Sequence, residues 1–131
     1  MNTRLARLAV GIAWLLTSVP ASAHHSFAAE FDAAKPVRFT GAFTKIEWTN
    51  PHAHIYLDVK APNGTVTSWR VELGTPNDLT RGGWMRDTLR TGDRITVTGY
   101  AAKDGSRMLS GRSVTLGDGR LLFARDSTSK R

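Results

Sequence analysis

The chain has 131 residues, no cysteine and a formal net charge of +7. This length suits one hydrophobic core, and the lack of cysteine excludes disulfide bonds and metal sites built on thiolates. The positive charge would suit an anionic partner. The basic residues are scattered along the chain without forming a run, which is also typical of charge that serves solubility, and we expect no nucleic-acid partner.

The first 23 residues have the pattern of an export signal. Arg4 and Arg7 precede an apolar run over residues 8–16, and residues 21–23 match the small-x-small pattern that signal peptidase cleaves. The run is too short to cross a bilayer. We therefore expect a periplasmic or secreted protein that does not span the membrane once the signal is removed. Cleavage after residue 23 would make His24 the N-terminal residue.

A lead-in segment is predicted over residues 24–36. Phe27 and Phe31 lie four positions apart, which suits either one helical turn or an extended arm whose rings dock on the domain. Residues 37–125 are expected to form a β domain, and residues 126–131 a disordered tail.

The first predicted strand changes phase part-way along. Apolar residues from Val37 to Phe43 share one phase of a period-two alternation, whereas Ile46 and Trp48 fall in the other phase. A phase switch within one strand indicates a bulge or bend near Thr44-Lys45.

The next two strands are predicted to form a hairpin around the turn Pro62-Asn63-Gly64. Apolar residues alternate cleanly after the Asn50-Pro51 turn, and His52 and His54 fall on the opposite face. The residues expected to be buried in this hairpin and in the later strands are Ile55, Leu57, Val59, Trp69, Val71, Ile95 and Val97.

A short helix is predicted near residues 76–81. Thr75 is a suitable N-cap, Pro76 suits the first helical position, and Gly82-Gly83 ends the helix. After it, Trp84, Met85 and Leu89 are expected to cover an apolar surface. Further strands are expected over residues 94–100, 108–116 and 120–123.

This order of elements favours an all-β fold. Five or six short strands, a bent first strand and a helix after the third strand match a Greek-key barrel of the oligonucleotide/oligosaccharide-binding (OB) type. A small β-sandwich with a helical insert is the alternative.

The four histidines are the candidate metal ligands. His24 and His25 would lie at the mature N-terminus, where a free amine and an imidazole can chelate one ion together. His52 and His54 are two apart on a strand, so both imidazoles leave the same face about 6–7 Å apart. Planar nitrogen ligands suit copper and tetrahedral ones zinc. The alternative is that these histidines are ordinary hydrogen-bonded surface residues.

Aromatic and acidic residues allow other interpretations. The tryptophans, tyrosines and phenylalanines could form a stacking platform for sugars or bases, although a domain of this size needs most of them in its core. Asp58 and Glu72 could pair across neighbouring strands or balance Arg70. No nucleophile elbow or phosphate-binding glycine loop is present, so we expect no enzyme activity.

Several motifs resemble a family of small exported bacterial proteins, domain of unknown function family 6152. The motifs are His24-His25-Ser26-Phe27, Glu30-Phe31-Asp32, Glu47-Trp48-Thr49-Asn50-Pro51-His52, Glu72-Leu73-Gly74, Gly83-Trp84, Gly92-Asp93, Gly99-Tyr100 and Lys103-Asp104-Gly105-Ser106. The resemblance implies export and one β domain, and it brings no catalytic residue. It also implies tryptophan where this chain has His54, which makes His54 the least secure ligand.

The sequence therefore predicts an exported, non-enzymatic β domain that binds copper or zinc through the four histidines. The alternative function is an envelope interaction module that binds an anionic or glycan partner through arginine and tryptophan side chains.

Overall fold

One six-stranded sheet organises residues 27–124, the part of the chain that this computed structural model describes. Its elements are α1 (Phe27–Glu30), β1 (Phe31–Glu47), β2 (His54–Lys60), β3 (Val66–Glu72), α2 (Pro76–Arg81), β4 (Arg94–Ala102), β5 (Met108–Leu116) and β6 (Leu121–Ala124). Neither of these helices has the length and apolar composition needed to cross a membrane.

The sheet closes into a barrel. Its strands follow the order β3-β2-β1-β4-β5-β6 with antiparallel neighbours, and β3 also pairs in parallel with β5. Strands β1 to β5 therefore form a ring, to which β6 is added at the free edge of β5. This is the predicted Greek-key barrel with one helix between β3 and β4, and the sandwich alternative does not form.

A glycine permits the closure between β3 and β5. A Cβ atom on Gly111 would lie 2.8 Å from Cγ1 of Val71 and 2.9 Å from the carbonyl oxygen of Glu72. Both distances are too short for real contacts. The absence of a side chain at this position lets the two strands approach each other.

The predicted bend in β1 is a β-bulge. Phe43 pairs with Leu57, but the next paired residue, Lys45, faces Tyr56, so Thr44 has no partner in the ladder. The extra residue reverses the faces of the strand, because side chains alternate with a period of two. Phe43 is therefore buried before the bulge, and Ile46 packs against the core after it.

The core lies inside the ring of strands. Its buried members are Phe43, Ala53, Ile55, Leu57, Val71, Leu73, Leu79, Trp84, Leu89, Ile95, Val97, Leu109 and Val114. Five of the seven residues expected to be buried are fully inaccessible. Val59 and Trp69 are only half-buried, which corrects the prediction. They have the inward phase, but they lie nearer the turn end of the β2–β3 hairpin and pack against the margin of the core.

Helix α2 follows its predicted signals. The Thr75 hydroxyl accepts a hydrogen bond from the backbone N–H of Asp78 at 3.1 Å, Pro76 is the first residue, and Gly82 is the C-cap. After the helix, Trp84 and Leu89 are buried as expected. Met85 is 57% exposed, so the expectation that it covers an apolar surface is wrong. Of the two neighbouring residues, Trp84 points into the core and Met85 points outward.

The first strand begins earlier than its alternation suggests. Helix α1 is a single turn, and β1 starts directly after it at Phe31, ahead of the expected start at Val37. Phe31 pairs with Ala102 of β4, and regular pairing resumes only at Pro36. Between these points residues 33–35 are exposed, which explains why the segment carries no apolar alternation.

Candidate functional site

A polar face covers the outside of β2 and β3. Ile55 and Leu57 are buried in the core. Because side chains alternate along a strand, the neighbouring side chains of β2 face outward. The hairpin register then sets His54 opposite Glu72, Tyr56 opposite Arg70, and Asp58 opposite Ser68. Three cross-strand polar pairs therefore stand side by side on one surface.

The side chain of Glu72 lies close to both His52 and His54. Its carboxylate oxygens lie 3.3 Å from Nδ1 of His52 and 4.0 Å from Nε2 of His54. The Glu72 side chain is 14% exposed and the His52 side chain 42% exposed. The carboxylate is thus held in the surface of the barrel, while His52 stays accessible to solvent and to a ligand.

His54 is held by Arg70. Nη2 of Arg70 donates to Nε2 of His54 at 3.2 Å, since a guanidinium can only donate. Burial, together with the positive charge of Arg70, lowers the pKa of His54 to about 4. His54 is therefore a neutral acceptor whose Nε2 lone pair is already used.

The polar face continues onto β1. Nζ of Lys45 lies 3.0 Å from a carboxylate oxygen of Glu47 and 4.2 Å from the centre of the Tyr56 ring. Hydrogen bonds from Lys45 and Tyr56 hold the pKa of Glu47 below its usual value. On β2, the carboxylate of Asp58 accepts a hydrogen bond from Ser68, so Asp58 and Glu72 do not form an acid pair.

A separate aromatic cluster anchors the start of the described chain. Phe27 stacks on Phe31 with ring centres 5.8 Å apart and meets Tyr100 edge-on at 5.6 Å. The guanidinium carbon of Arg112 lies 5.3 Å from the Phe27 ring centre and 5.0 Å from that of Tyr100. The lead-in segment therefore forms a helical turn and also docks its rings, which combines the two predicted alternatives.

One cross-strand row connects this cluster to Glu72. Tyr100 pairs with Ser110, Ser110 with Glu72, and Glu72 with His54. Paired residues point to the same side of a sheet, and neighbouring strands are about 4.8 Å apart. Tyr100 and Glu72 are thus about 10 Å apart along the row, and Phe27 rests on the same side of the barrel as Glu72.

A family model for a family of unknown function, DUF6152, matches residues 13–111. This is more than half of the chain, and it includes both histidines of the polar face. The chain belongs to the DUF6152 family. A search of curated proteins gives no match.

Among solved structures, the DUF6152 chain is similar to Rim1, a mitochondrial single-stranded DNA-binding protein from S. cerevisiae. The two share 14% sequence identity and superpose with a TM-score of 0.50, over 66% of this chain and 95% of Rim1. At this identity the likeness concerns the fold alone, and it agrees with the OB-type barrel.

The four predicted metal ligands divide into two groups. His52 and His54 lie on one face, as expected, and converge on Glu72. His24 and His25 lie outside the described residues. Within residues 27–124, no group of three or more histidine, aspartate or glutamate side chains is arranged to hold a metal ion.

Within residues 27–124, the tryptophans of this DUF6152 chain contribute little to an exposed stacking platform. Trp84 is buried, whereas Trp48 and Trp69 are half-buried against the core, and Trp69 packs on Phe39 with ring centres 4.5 Å apart. The half-buried aromatic rings that lie beside cationic side chains are instead Phe27, Tyr56 and Tyr100.

Sequence reasoning considered Glu72 only as a partner of Asp58 or Arg70, and it missed the position of Glu72 beside the two histidines. A signal for it was present, because the predicted hairpin turn is centred on Asn63. His54 and Glu72 are equally distant from that residue along the chain, so a symmetric hairpin pairs them. The contacts with His52 and Arg70 required the folded structure.

Proposed function

We propose that this protein is an exported, non-enzymatic β-barrel that binds one copper or zinc ion through its mature N-terminus, His52 and Glu72. Residues 1–23 would be its export signal, and the protein would act in the periplasm or outside the cell. The observation that carries the proposal is the contact of the exposed His52 with Glu72, which belongs to the cross-strand row that leads to the N-terminal segment.

The separation of these two side chains suits a shared metal ion. Nδ1 of His52 lies 3.3 Å from the Glu72 carboxylate. Two ligands at about 2.0 Å from a tetrahedral zinc ion are themselves about 3.3 Å apart. A planar copper site needs the same pair about 2.8 Å apart, which a small rotation of the exposed imidazole supplies.

Chain length supports a contribution from His24. Phe27 is anchored on Tyr100, and three residues of chain extend to about 10 Å. This equals the distance along the row from Tyr100 to Glu72. The amine and imidazole of His24 are therefore within reach of His52 and Glu72, and His25 is an additional donor.

Of the strand pair, His52 is the stronger ligand. Its imidazole is exposed, whereas Nε2 of His54 accepts a hydrogen bond from Arg70. A metal ion at that nitrogen would have to displace a guanidinium and would meet its positive charge. His54 therefore acts mainly by holding Arg70 beside Glu72.

Native mass spectrometry of the exported protein tests this proposal. The denatured mass should correspond to a chain that begins His-His-Ser-Phe, and the native protein should carry one copper or zinc ion. We expect His24→Ala, His52→Ala and Glu72→Gln each to weaken binding at least tenfold in calorimetric titrations. Arg38→Ala, which changes a distant exposed residue, should leave the affinity unchanged.

A variant with one extra residue before His24 tests the terminal amine, because the added residue moves the amine away from the imidazole. Its affinity should fall as in His24→Ala. A mature chain that starts at Phe27 or later, or unchanged affinity in both His52→Ala and Glu72→Gln, would contradict the proposed site.

A further inference from the structure

A groove lies on the outside of β1, β4 and β5, apart from the polar face of β2 and β3. It encloses about 370 Å³, and its lining includes Arg38, Thr98, Gly99, Tyr100 and Arg112. None of the described acidic side chains lines it. We propose that this groove binds a phosphate or sulfate group, held between the guanidinium groups of Arg38 and Arg112. This site does not depend on metal binding at Glu72.

The β-sheet register brings the two arginines to one groove. Arg38 pairs with Thr98, and Thr98 pairs with Ser113. The β4–β5 register then shifts, since Gly99 faces Gly111 and Arg112 is left without a partner in the ladder. A bulge residue can turn its side chain away from the usual direction, and here Arg112 extends over Tyr100.

Arg112 is oriented before any ligand arrives. Its guanidinium lies over the rings of Phe27 and Tyr100 at 5.3 and 5.0 Å. Rings hold a cation by their negative faces but do not neutralise it. Its Nε is buried and has no hydrogen-bond partner in the described part of the chain. An anion at the groove would supply an acceptor close to this donor group.

Both arginines lack an ion-pair partner in the described part of the chain. Neither Arg38 nor Arg112 forms an ion pair with any residue between 27 and 124. Arg38 is exposed and Arg112 half-buried. The pair thus combines a guanidinium positioned by aromatic rings with an exposed one, and guanidinium groups bind oxyanions through paired N–H donors.

A hydroxyl group adds a third donor. The side-chain oxygens of Thr98 and Ser113 lie 2.6 Å apart. One hydroxyl donates to the other, which leaves one hydroxyl hydrogen for another acceptor. Two guanidinium groups and a hydroxyl therefore line the same groove, and the several oxygens of a phosphate or sulfate group can accept hydrogen bonds from all three.

NMR titration of the purified protein with inorganic phosphate, and separately with sulfate, at constant ionic strength tests the site. We expect saturable shifts at the Nε–H of Arg112 and the backbone amides of Thr98 and Gly99. Arg112→Gln should abolish them, and Arg38→Gln should weaken binding about fivefold. Arg94→Gln removes an exposed arginine elsewhere on β4 and should change nothing.

The melting temperature of Arg112→Gln and the copper affinity of Arg38→Gln serve as controls for this titration. If Arg112→Gln lowers the melting temperature, Arg38→Gln carries the test, because its side chain is exposed. Copper affinity should be the same in Arg38→Gln as in the parent. Shifts that never saturate, equal affinity in Arg38→Gln and the parent, or an equal loss in Arg94→Gln would each overturn the proposal.

Vesicles identify the source of the phosphate. Co-sedimentation with vesicles of phosphatidylglycerol in phosphatidylcholine, lost in Arg38→Gln, would assign a lipid headgroup. Binding of inorganic phosphate without co-sedimentation would assign a free anion.

Discussion

Arg70 and Arg112 are alike in position but differ in their surroundings. Each is half-buried on the outside of the barrel, and each has a buried Nε without a hydrogen-bond partner among the described residues. Arg70 donates to His54 within a face that also holds Glu72. Arg112 lies on two aromatic rings with no carboxylate beside it. Neighbours thus decide whether an arginine completes a polar network or keeps its charge available for an anion.

The largest expected effect is a loss of stability on mutation of the aromatic cluster next to Arg112. Phe31 is 3% exposed and stacks on Phe27, so Phe31→Ala should lower the free energy of unfolding by about 3 kcal/mol. Urea denaturation measures this loss. Val66→Ala, at an exposed position, is the control and should cost less than about 0.5 kcal/mol. A loss below about 1 kcal/mol for Phe31→Ala would mean that the cluster does not stabilise the barrel.

The next effect is a pH dependence on the Arg70 side. The folded protein holds the pKa of His54 at about 4, below the ordinary value of 6.5. Between these values the unfolded chain binds the proton more readily, so stability falls as the pH drops from 6.5 towards 4. The loss should be on the order of 2–3 kcal/mol for the metal-free protein.

Unfolding of His54→Gln is the matched measurement for this pH dependence. Glutamine offers an oxygen to Arg70 but does not titrate, so its stability should vary much less over the same pH range. Parallel pH profiles for the parent and the variant would show that folding does not lower the pKa of His54.

A smaller effect is expected on copper affinity when the aromatic cluster is altered. Phe27→Ala removes the ring that anchors the N-terminal segment on Tyr100. The proposed metal ligands at the N-terminus would then have a lower effective concentration near Glu72, and copper affinity should fall about tenfold. Calorimetric titration measures this change. An unchanged affinity would separate the aromatic cluster from the metal site.

The smallest effect concerns a third arginine. Nη1 of Arg81 lies 3.0 Å from Oδ1 of Asp78, and both side chains of this ion pair are exposed. Arg81→Ala should change the free energy of unfolding by less than about 0.5 kcal/mol. Salt should remove even this difference. A loss above about 1 kcal/mol, measured by urea denaturation, would show that exposure is a poor guide to the contribution of an arginine in this protein.

Local patterns predicted much of the barrel. The phase switch located the bulge at Thr44, and Thr75 and Pro76 located the start of α2. Alternation placed His52 and His54 on the outer face. The same alternation wrongly predicted full burial for Val59 and Trp69. The position of a residue in the alternation gives the side of the sheet that its side chain faces, but not how far the residue lies from the centre of the barrel.

The sequence by itself determined the strands, the bulge, the helix and the hairpin register, since these follow from alternation, turn residues and caps within a few positions of each other. Only the tertiary structure decided which charges meet. Closure of β3 against β5 joins Glu72 to the row that ends at Tyr100, and the shift in β5 sets Arg112 over the rings. Such contacts depend on the register between strands that are distant along the chain, and no short-range pattern encodes that register.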